Sequence, residues 1–166
     1  MAAGSTYTPI ATTTSTGTTT ITMSSIPSTY TDIIMVIKGQ IDGNVYYKIN
    51  GDTNSNFSQT TVYGTGSGSG ASSRETSLTT GIYLGDYIGS PMASTGAMAI
   101  IHFMNYSNTT TNKTSLYRMD NAGAGTQAGV GLWRSTAAIN QVSVTSSTAN
   151  GIANGTTFTL YGIQAA

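Results

Sequence analysis

The residues of this chain that could do chemistry are few and widely separated. His102 is the only histidine among 166 residues, and the six acidic residues stand singly along the sequence. A histidine can act as a general base, but a hydrolase of the Ser-His-Asp type also needs a placed serine and an acid. No G-x-S-x-G motif is present, and no acid partner for His102 can be recognised. We therefore predict a structural or partly exposed histidine without a catalytic role.

Asp52, Asn54 and Asn56 space three oxygen ligands as the start of a calcium-binding loop does. An EF-hand also needs glycine at its sixth position and glutamate at its twelfth, where this chain has Phe57 and Tyr63. A loop closed by Asx-turns, in which Asp and Asn side chains bond to nearby backbone groups, explains the spacing better. We predict no metal at this loop and no cofactor in the chain.

A run of alternate glycines, Gly64, Gly66, Gly68 and Gly70, has the composition of a phosphate-binding loop. It lacks the Lys-Ser/Thr pair of such loops, and no helix is predicted after it to contribute an N-terminus. Residues 64–73 are therefore predicted to form a mobile surface loop.

Composition limits the classes of partner. Six Lys and Arg balance six Asp and Glu, and charged residues make up 7% of the chain. A neutral chain lacks the basic surface that nucleic-acid binding needs, and no apolar run approaches the ~20 residues that span a membrane. The absence of cysteine excludes disulfides and thiolate metal sites. No signal-peptide pattern opens the sequence, which predicts synthesis in a cytoplasm.

The remaining composition is typical of a contact surface. The chain carries ten tyrosines, whose amphipathic rings are favoured at interfaces, although tyrosine is also common in strands. Surfaces rich in Thr, Ser, Asn and Tyr suit contact with carbohydrate or with other protein subunits.

The elements that must position these residues are short β-strands. Apolar residues alternate with polar ones or form short runs between turn residues, and no helical periodicity exceeds about two turns. Strands are predicted at 18–23, 31–38, 45–49, 57–63, 77–84, 97–104, 114–119, 130–134, 138–144 and 156–163. The apolar run in 31–38 predicts a central strand that is covered on both faces. Residues 97–104 are predicted to form a second central strand. Residues 120–129 are predicted to be a Gly/Ala-rich loop.

This succession predicts one all-β domain over residues 18–166, an antiparallel β-sandwich of jelly-roll type. Residues 1–17 are predicted to be a Thr-rich N-terminal arm, which could add a strand to a neighbouring subunit. Phe158 and Leu160 share one face of the final strand, so that strand is predicted to be integral to the core.

Several segments resemble a pattern in small structural proteins of tailed bacteriophages, including cyanophages and other marine and freshwater phages. They are IPSTYTDI at 26–33, INGDTNSNFS at 49–58, the loop 105–109 with Lys113, and FTLYGI at 158–163. The resemblance implies a virion surface protein, either a head decoration (cement) protein or a module of a tail fibre. It transfers no catalytic residues.

The two forms of virion protein differ in what they require. A fibre needs an attachment region and a long shaft, for which the residues before the first predicted strand leave no room. We therefore expect a decoration protein on the outer capsid surface, which binds the major capsid protein and stabilises the assembled head. The alternatives are a receptor-binding module for host surface glycan and a glycan-active enzyme. The enzyme is disfavoured because no carboxylate pair can be recognised.

Self-association is expected as well. The chain has no net charge to keep copies apart, and the open edges of a sandwich must be covered or paired. We expect a homotrimer that docks on the capsid through the N-terminal arm. The candidate contacts with the capsid or between subunits are Tyr7, Thr8, Pro9 and Ile10.

Overall fold

The computed structural model describes residues 6–68, 70–85, 92 and 97–164. These residues form twelve β-strands, and no helix occurs among them. In chain order the strands are β1 (Tyr7–Thr14), β2 (Thr20–Met23), β3 (Asp32–Gly39), β4 (Val45–Ile49), β5 (Phe57–Gly64), β6 (Gly70–Leu78), β7 (Ile82–Leu84), β8 (Ala97–Phe103), β9 (Lys113–Asn121), β10 (Gly125–Trp133), β11 (Val142–Ser146) and β12 (Thr157–Ile163).

The strands form two antiparallel sheets. One has eight strands in the order β1-β12-β3-β8-β9-β10-β5-β6, and the other has four in the order β2-β11-β4-β7. The predicted all-β antiparallel architecture is therefore confirmed, and it is consistent with a β-sandwich. A jelly roll has eight strands in two sheets, whereas the described strands divide eight to four, so the jelly-roll topology is not confirmed.

One face of the eight-stranded sheet, the inner face, packs against the four-stranded sheet. Alternate residues of β3 and β8 are buried on it, which is the period-2 pattern of a strand with one face in the core. Tyr47 of β4 crosses between the sheets, and its hydroxyl lies 2.6 Å from Ser115 Oγ of β9. Its ring also meets Phe103 edge-on, with centroids 5.6 Å apart. Burial raises the pKa of Tyr47, so the phenol stays neutral in the core.

Glycines in the inner face let aromatic rings lie directly on the sheet, as at Gly131 and Gly162. A Cβ at Gly131 would lie 2.7 Å from the Tyr47 hydroxyl and would collide with Ile82. A Cβ at Gly162 would collide with the ring of Tyr30. Any side chain at either position would push the covering residues away from the sheet, which costs about 1–3 kcal/mol in a packed core.

The final strand lies inside the large sheet, as predicted. β12 is hydrogen-bonded to β1 on one side and to β3 on the other. Phe158 and Leu160 are fully buried on the inner face. Burying two large apolar side chains contributes about 1.5–3 kcal/mol each, so this strand belongs to the core.

The N-terminal segment, expected to be an arm outside the sandwich, pairs with a strand of its own chain. Tyr7 lies opposite Ile163 and Thr14 opposite Thr157, and a bulge between Pro9 and Ala11 shifts the register. β1 is consequently an edge strand of the eight-stranded sheet. Threonine is β-branched and fits a pleated edge, even where few apolar residues mark the strand.

Two segments predicted as loops contain strand instead. Residues 64–73 include the end of β5 and the start of β6, which pair from Phe57 to Gly64 in a hairpin. Residues 120–129 include the ends of β9 and β10, which pair as a second hairpin. The loop prediction is correct for residues 65–68 and wrong for 64 and 70–73, while Ser69 lies outside the described residues; over 120–129 it is wrong at seven of the ten positions. Small residues extend these strands because neighbouring strands supply the hydrogen-bond partners that the composition does not reveal.

Other strand bounds also differ from the prediction. The single strand expected at 77–84 is divided between β6, which ends at Leu78, and β7, because Gly81 between them has a φ angle of 124° that interrupts an extended backbone. The strand expected at 138–144 begins four residues later, at Val142.

Candidate functional site

Large apolar side chains cover the face of the eight-stranded sheet that points away from the core. The backbone register aligns them in two adjacent rows across the strands. From β12 to β5 the first row is Tyr161, Ile34, His102, Leu116, Val130 and Thr60. The second row is Thr159, Val36, Ile100, Arg118, Ala128 and Val62. We call these twelve residues the outer-face patch.

The outer-face patch is open to solvent over the part of the chain that the structure describes. Leu116 is 47% exposed, Val62 58% and Val130 38%. Two shallow grooves cross the patch and share Ile100 in their walls, one of about 400 Å³ beside His102 and one of about 340 Å³ beside Tyr161. The prediction that 31–38 is covered on both faces is therefore wrong, since Ile34 and Val36 point into the open face and no described residue covers them.

Apart from Arg118, which lies within the second row, the charged residues lie at the ends of the patch. On β3, Asp32 precedes the first row and Lys38 follows the second. On β9, Asp120 lies beyond Arg118, opposite Met98 of β8. Arg118 is the one guanidinium among the twelve residues, and long side chains of this kind lay their aliphatic stems on apolar surface.

The outer face of the four-stranded sheet has the opposite chemistry. Its outward residues are Thr20, Thr22, Ser143, Thr145, Lys48, Tyr46 and Tyr83. The hydroxyls of Thr20 and Thr145 lie 3.0 Å apart in a cross-strand hydrogen bond. The rings of Tyr46 and Tyr83 meet edge-on with centroids 5.8 Å apart. This face satisfies its polar groups in water and has no need of a covering layer.

His102 has an acid partner, contrary to the prediction. Its Nε2 lies 2.9 Å from Oδ2 of Asp32, whose Oδ1 accepts a hydrogen bond from the backbone amide of Asn105 at 2.7 Å. Asp32 thereby links two neighbouring strands to the loop that follows β8. The sequence hides this pair because its members are 70 residues apart and meet only through the β3–β8 register.

The groove beside His102 does not complete a catalytic constellation. Its other lining residues are Ile100, Leu116, Tyr117, Arg118, Ala128 and Gly129. Among these described residues there is no serine or threonine to act as the nucleophile of a triad. The His102–Asp32 pair can therefore orient the ring and tie the strands together, and the groove presents an apolar surface with one guanidinium.

Asp52 closes the loop between β4 and β5. Its Oδ1 accepts hydrogen bonds from both nitrogens of Asn54 at 2.8 Å, which includes the predicted Asx-turn. Its Oδ2 accepts from Asn56 Nδ2 at 2.8 Å and from the indole of Trp133 at 2.6 Å. Desolvation acts to raise the pKa of Asp52, but the hydrogen bonds from Trp133, Asn56 and Asn54 outweigh it and lower the pKa to about 2.

This arrangement does not resemble a calcium site. The amide groups of Asn54 and Asn56 turn their donors toward Asp52, so the carboxylate is occupied by four protein donors. Among the described residues no cluster of three or more His, Cys, Asp or Glu side chains is positioned to hold a metal ion.

Asn50 makes a second tie in the same loop. Its backbone is left-handed, with φ at 50°, and its Nδ2 donates to the carbonyl of Ala138 at 2.8 Å. Its Oδ1 accepts from the amides of Asn140 and Gln141 at 3.0 and 3.1 Å. One side chain thus connects the end of β4 to the segment that enters β11.

Lys113 is a buried charge that the sequence does not predict. It is almost fully buried at the start of β9, and its Nζ donates to the carbonyls of Thr111 and Thr136 at 2.8 and 3.1 Å. Desolvation lowers the pKa of Lys113. The contacts are to backbone oxygens of two loops, so the lysine holds those loops together.

The four candidate contact residues fall into two groups in the structure. Tyr7 is 57% exposed and its ring meets Tyr161 edge-on at 6.5 Å, so it extends the outer-face patch to the edge of the sheet. Pro9 is also exposed. Thr8 and Ile10 are half-buried, and Ile10 packs against the core. Tyr7 and Pro9 are therefore the two that a partner can reach most easily.

Comparison of the chain with protein-family models, with curated proteins and with solved structures gives no match. The described residues include no helix that is long and apolar enough to cross a membrane. Among the surfaces of the described residues, the outer-face patch is the one that best suits contact with another molecule.

Proposed function

We propose that this chain is a structural protein of a bacteriophage virion, a capsid decoration protein that binds the outer surface of the head and stabilises it. In this proposal it is made in the host cytoplasm, has no enzymatic activity or cofactor, and binds the major capsid protein and copies of itself. The phage assignment follows from the sequence resemblance, and the observation in the structure that supports a contact role is the open, apolar outer-face patch. Its position on a rigid sheet suits a protein whose work is to contact other proteins.

The size of the patch supports a contact role. Eight strands at ~4.8 Å spacing and about seven residues at ~3.4 Å make a whole outer face of ~900 Å², of which the twelve patch residues, on six strands and about four residues deep, cover ~400 Å². Monomeric soluble proteins rarely expose continuous apolar patches of more than a few hundred Å². A standard protein interface buries about 800 Å² on each partner, so this face has the dimensions of an interface.

The free edge of β1 is the proposed contact with the major capsid protein. An edge strand has unpaired backbone groups that can bond to a strand or loop of a partner. Tyr7 and Pro9 are exposed on this edge, and the ring of Tyr7 could enter a pocket on the capsid surface. Binding that favours the assembled capsid stabilises it by mass action.

The test is binding to capsids from the phage that encodes the chain. Recombinant protein is mixed with capsids from which it has been removed, and the bound fraction is measured by co-sedimentation. We expect saturable binding, many copies per head, and about a tenfold or greater loss of affinity for Tyr7→Asp. Thr22→Asp, on the outer face of the four-stranded sheet, is the matched control. Absence of the chain from purified heads would overturn the proposal.

A second candidate function is a tail-fibre or receptor-binding module that recognises host surface glycan. It is favoured by the Tyr46–Tyr83 pair, because aromatic rings beside hydroxyl groups suit contact with sugars. Thr80 donates a hydrogen bond to the Tyr83 hydroxyl at 3.1 Å and orients the pair. Binding to a glycan array that is lost in Tyr46→Ala and Tyr83→Ala, with few copies per virion, would favour this candidate over decoration.

A further inference from the structure

We propose that the outer-face patch packs face to face on the same patch of a second copy of this chain. The proposed two-fold axis lies in the interface and runs across the strands, between the two rows of the patch. The inference rests on the proposed function in one respect, namely that the patch is a contact surface. It adds the identity of the occupant and the register of the contact.

The patch is self-complementary about this axis. The axis exchanges the two rows, so each strand lies against its own copy in the opposite direction. Ile34 then faces Val36 of the second copy, and Val130 faces Ala128 of the second copy, which places apolar side chains opposite one another. The stem of Arg118 lies over Leu116 of the second copy. Sheets packed in this way are about 10 Å apart, which the side chains of these rows can fill.

The same two-fold axis also brings the oppositely charged ends of β3 in the two copies together. Asp32 precedes the first row and Lys38 follows the second, with Ile34 and Val36 between them on the same face of β3. The axis exchanges these two ends, so Asp32 faces Lys38 of the second copy. The symmetric contact repeats on the other side of the axis. Opposite charges at both ends thus fix the direction in which the two sheets pack.

A second copy explains the surface better than another occupant does. The whole outer face of the sheet, at ~900 Å², is large enough for the ~800 Å² per partner of a stable complex, and the patch of ~400 Å² lies at its centre. An isologous contact requires one patch that complements itself, and a two-fold pair supplies that condition. We therefore propose a pair in place of the trimer expected from composition. The pair leaves the backbone edge of β1 in each copy free for the capsid, with Tyr7 at the margin of the two-fold contact.

The first experiment measures the mass of the full chain by sedimentation over a range of concentrations. We expect a dimer for the wild type and a dissociation constant raised about a hundredfold or more for Leu116→Lys, which places a lysine against Arg118 of the second copy. Thr145→Lys adds the same charge to the outer face of the four-stranded sheet and should leave the dimer unchanged. Thermal melting of both variants checks that they remain folded.

The second experiment tests the register. Lys38→Glu places two acidic groups together and should weaken the dimer about tenfold. Asp32→Lys should weaken it too, and mixing the two variants should restore a heterodimer. Because Asp32 also binds His102 and Asn105, Lys38→Glu with Lys48→Glu as its control provides a test that leaves those contacts intact.

A monomeric wild type at about 100 μM would overturn the inference, since a stable interface of this size normally gives a tighter complex. So would a dimer or trimer that Leu116→Lys does not affect. The capsid-binding assay separates the two proposals: a dimer that fails to bind capsids contradicts only the proposed function. A monomeric wild type that still binds capsids contradicts only the two-fold pair.

Discussion

Two surfaces of this protein point away from the core, and they differ in almost every respect. The outer face of the four-stranded sheet is covered with Thr, Ser, Lys and Tyr, whereas that of the eight-stranded sheet carries Ile, Val and Leu. Both belong to antiparallel sheets with one covered face, for which apolar-in and polar-out alternation is the usual pattern. The four-stranded sheet follows that pattern, and the middle of the eight-stranded sheet departs from it.

The departure is local and therefore informative. It is concentrated on β3 and β8, at the middle of the large sheet, and fades toward β1 and β6, where Thr, Ser and Gly return. A sheet that needed only general solubility would show no such gradient. An apolar centre with a polar margin is the arrangement found at protein interfaces.

The largest effect is expected from two neighbouring isoleucines of β8 that point to opposite faces. Ile101→Ala should lower the free energy of unfolding by about 2–5 kcal/mol, because it leaves a cavity in the core. Ile100→Ala should cost less than about 1 kcal/mol in a monomer, because its side chain lies on the open face. Urea denaturation of both variants in the Leu116→Lys background measures the difference. Equal losses would show that the outer face is already covered.

The next effect concerns the loop that joins the two sheets. Asp52→Ala should lower the free energy of unfolding by about 1–3 kcal/mol, because it leaves the buried indole N–H of Trp133 without its acceptor. Asp42→Ala is the control: Asp42 is exposed and accepts one side-chain bond from Gln40, so its removal should cost less than about 0.5 kcal/mol. Equal denaturation midpoints for the two variants would contradict the role given to Asp52.

The same carboxylate predicts a dependence of stability on pH. Its pKa is about 2 in the folded chain against an ordinary value of 3.8, so folding favours the ionised form. The resulting stability is fully present above the ordinary value and is lost as the pH falls through about 2. Thermal melting between pH 6 and pH 2 should show a steeper decline for the wild type than for Asp52→Asn. Parallel curves would contradict this assignment.

The smallest effects should come from exchanging the character of the two outer faces. Leu116→Thr and Thr145→Val should each change the free energy of unfolding of the monomer by about 0.5 kcal/mol or less. Only Leu116→Thr should alter the concentration dependence of the mass. If Thr145→Val altered the concentration dependence of the mass instead, the outer face of the four-stranded sheet would be the one that mediates self-association.

Strands with a regular apolar-polar alternation are predicted from the sequence. Strands that form only through pairing with distant strands are not. Val45–Ile49 alternates clearly and is β4 as expected. The threonines of β1 and the small residues of β10 carry no comparable signal, because their strands depend on pairing with β12, β9 and β5. These are non-local contacts, which local propensity does not encode.

The candidate site was predictable only in part. Tyr7 was identified as a contact residue, and it adjoins the outer-face patch. The apolar run of β3 is equally compatible with burial on both faces, so its exposed half could not be recognised before the covering layers were known. The outward alternation of Leu116 with Arg118 on β9 was the one signal in the sequence that this face is not a core.

The place of β12 between β1 and β3 has a consequence for how the chain folds during synthesis. β1 is made first, yet its partner in the sheet, Thr157–Ile163, is made after all the other strands. The nascent β1 therefore waits unpaired while the ribosome completes about 140 further residues, which takes on the order of ten seconds. Sheets closed by such distant pairings fold slowly, in milliseconds to seconds, because loop closure precedes the contacts that reward it. Because four of its eight residues are threonines, β1 exposes few apolar side chains during this interval.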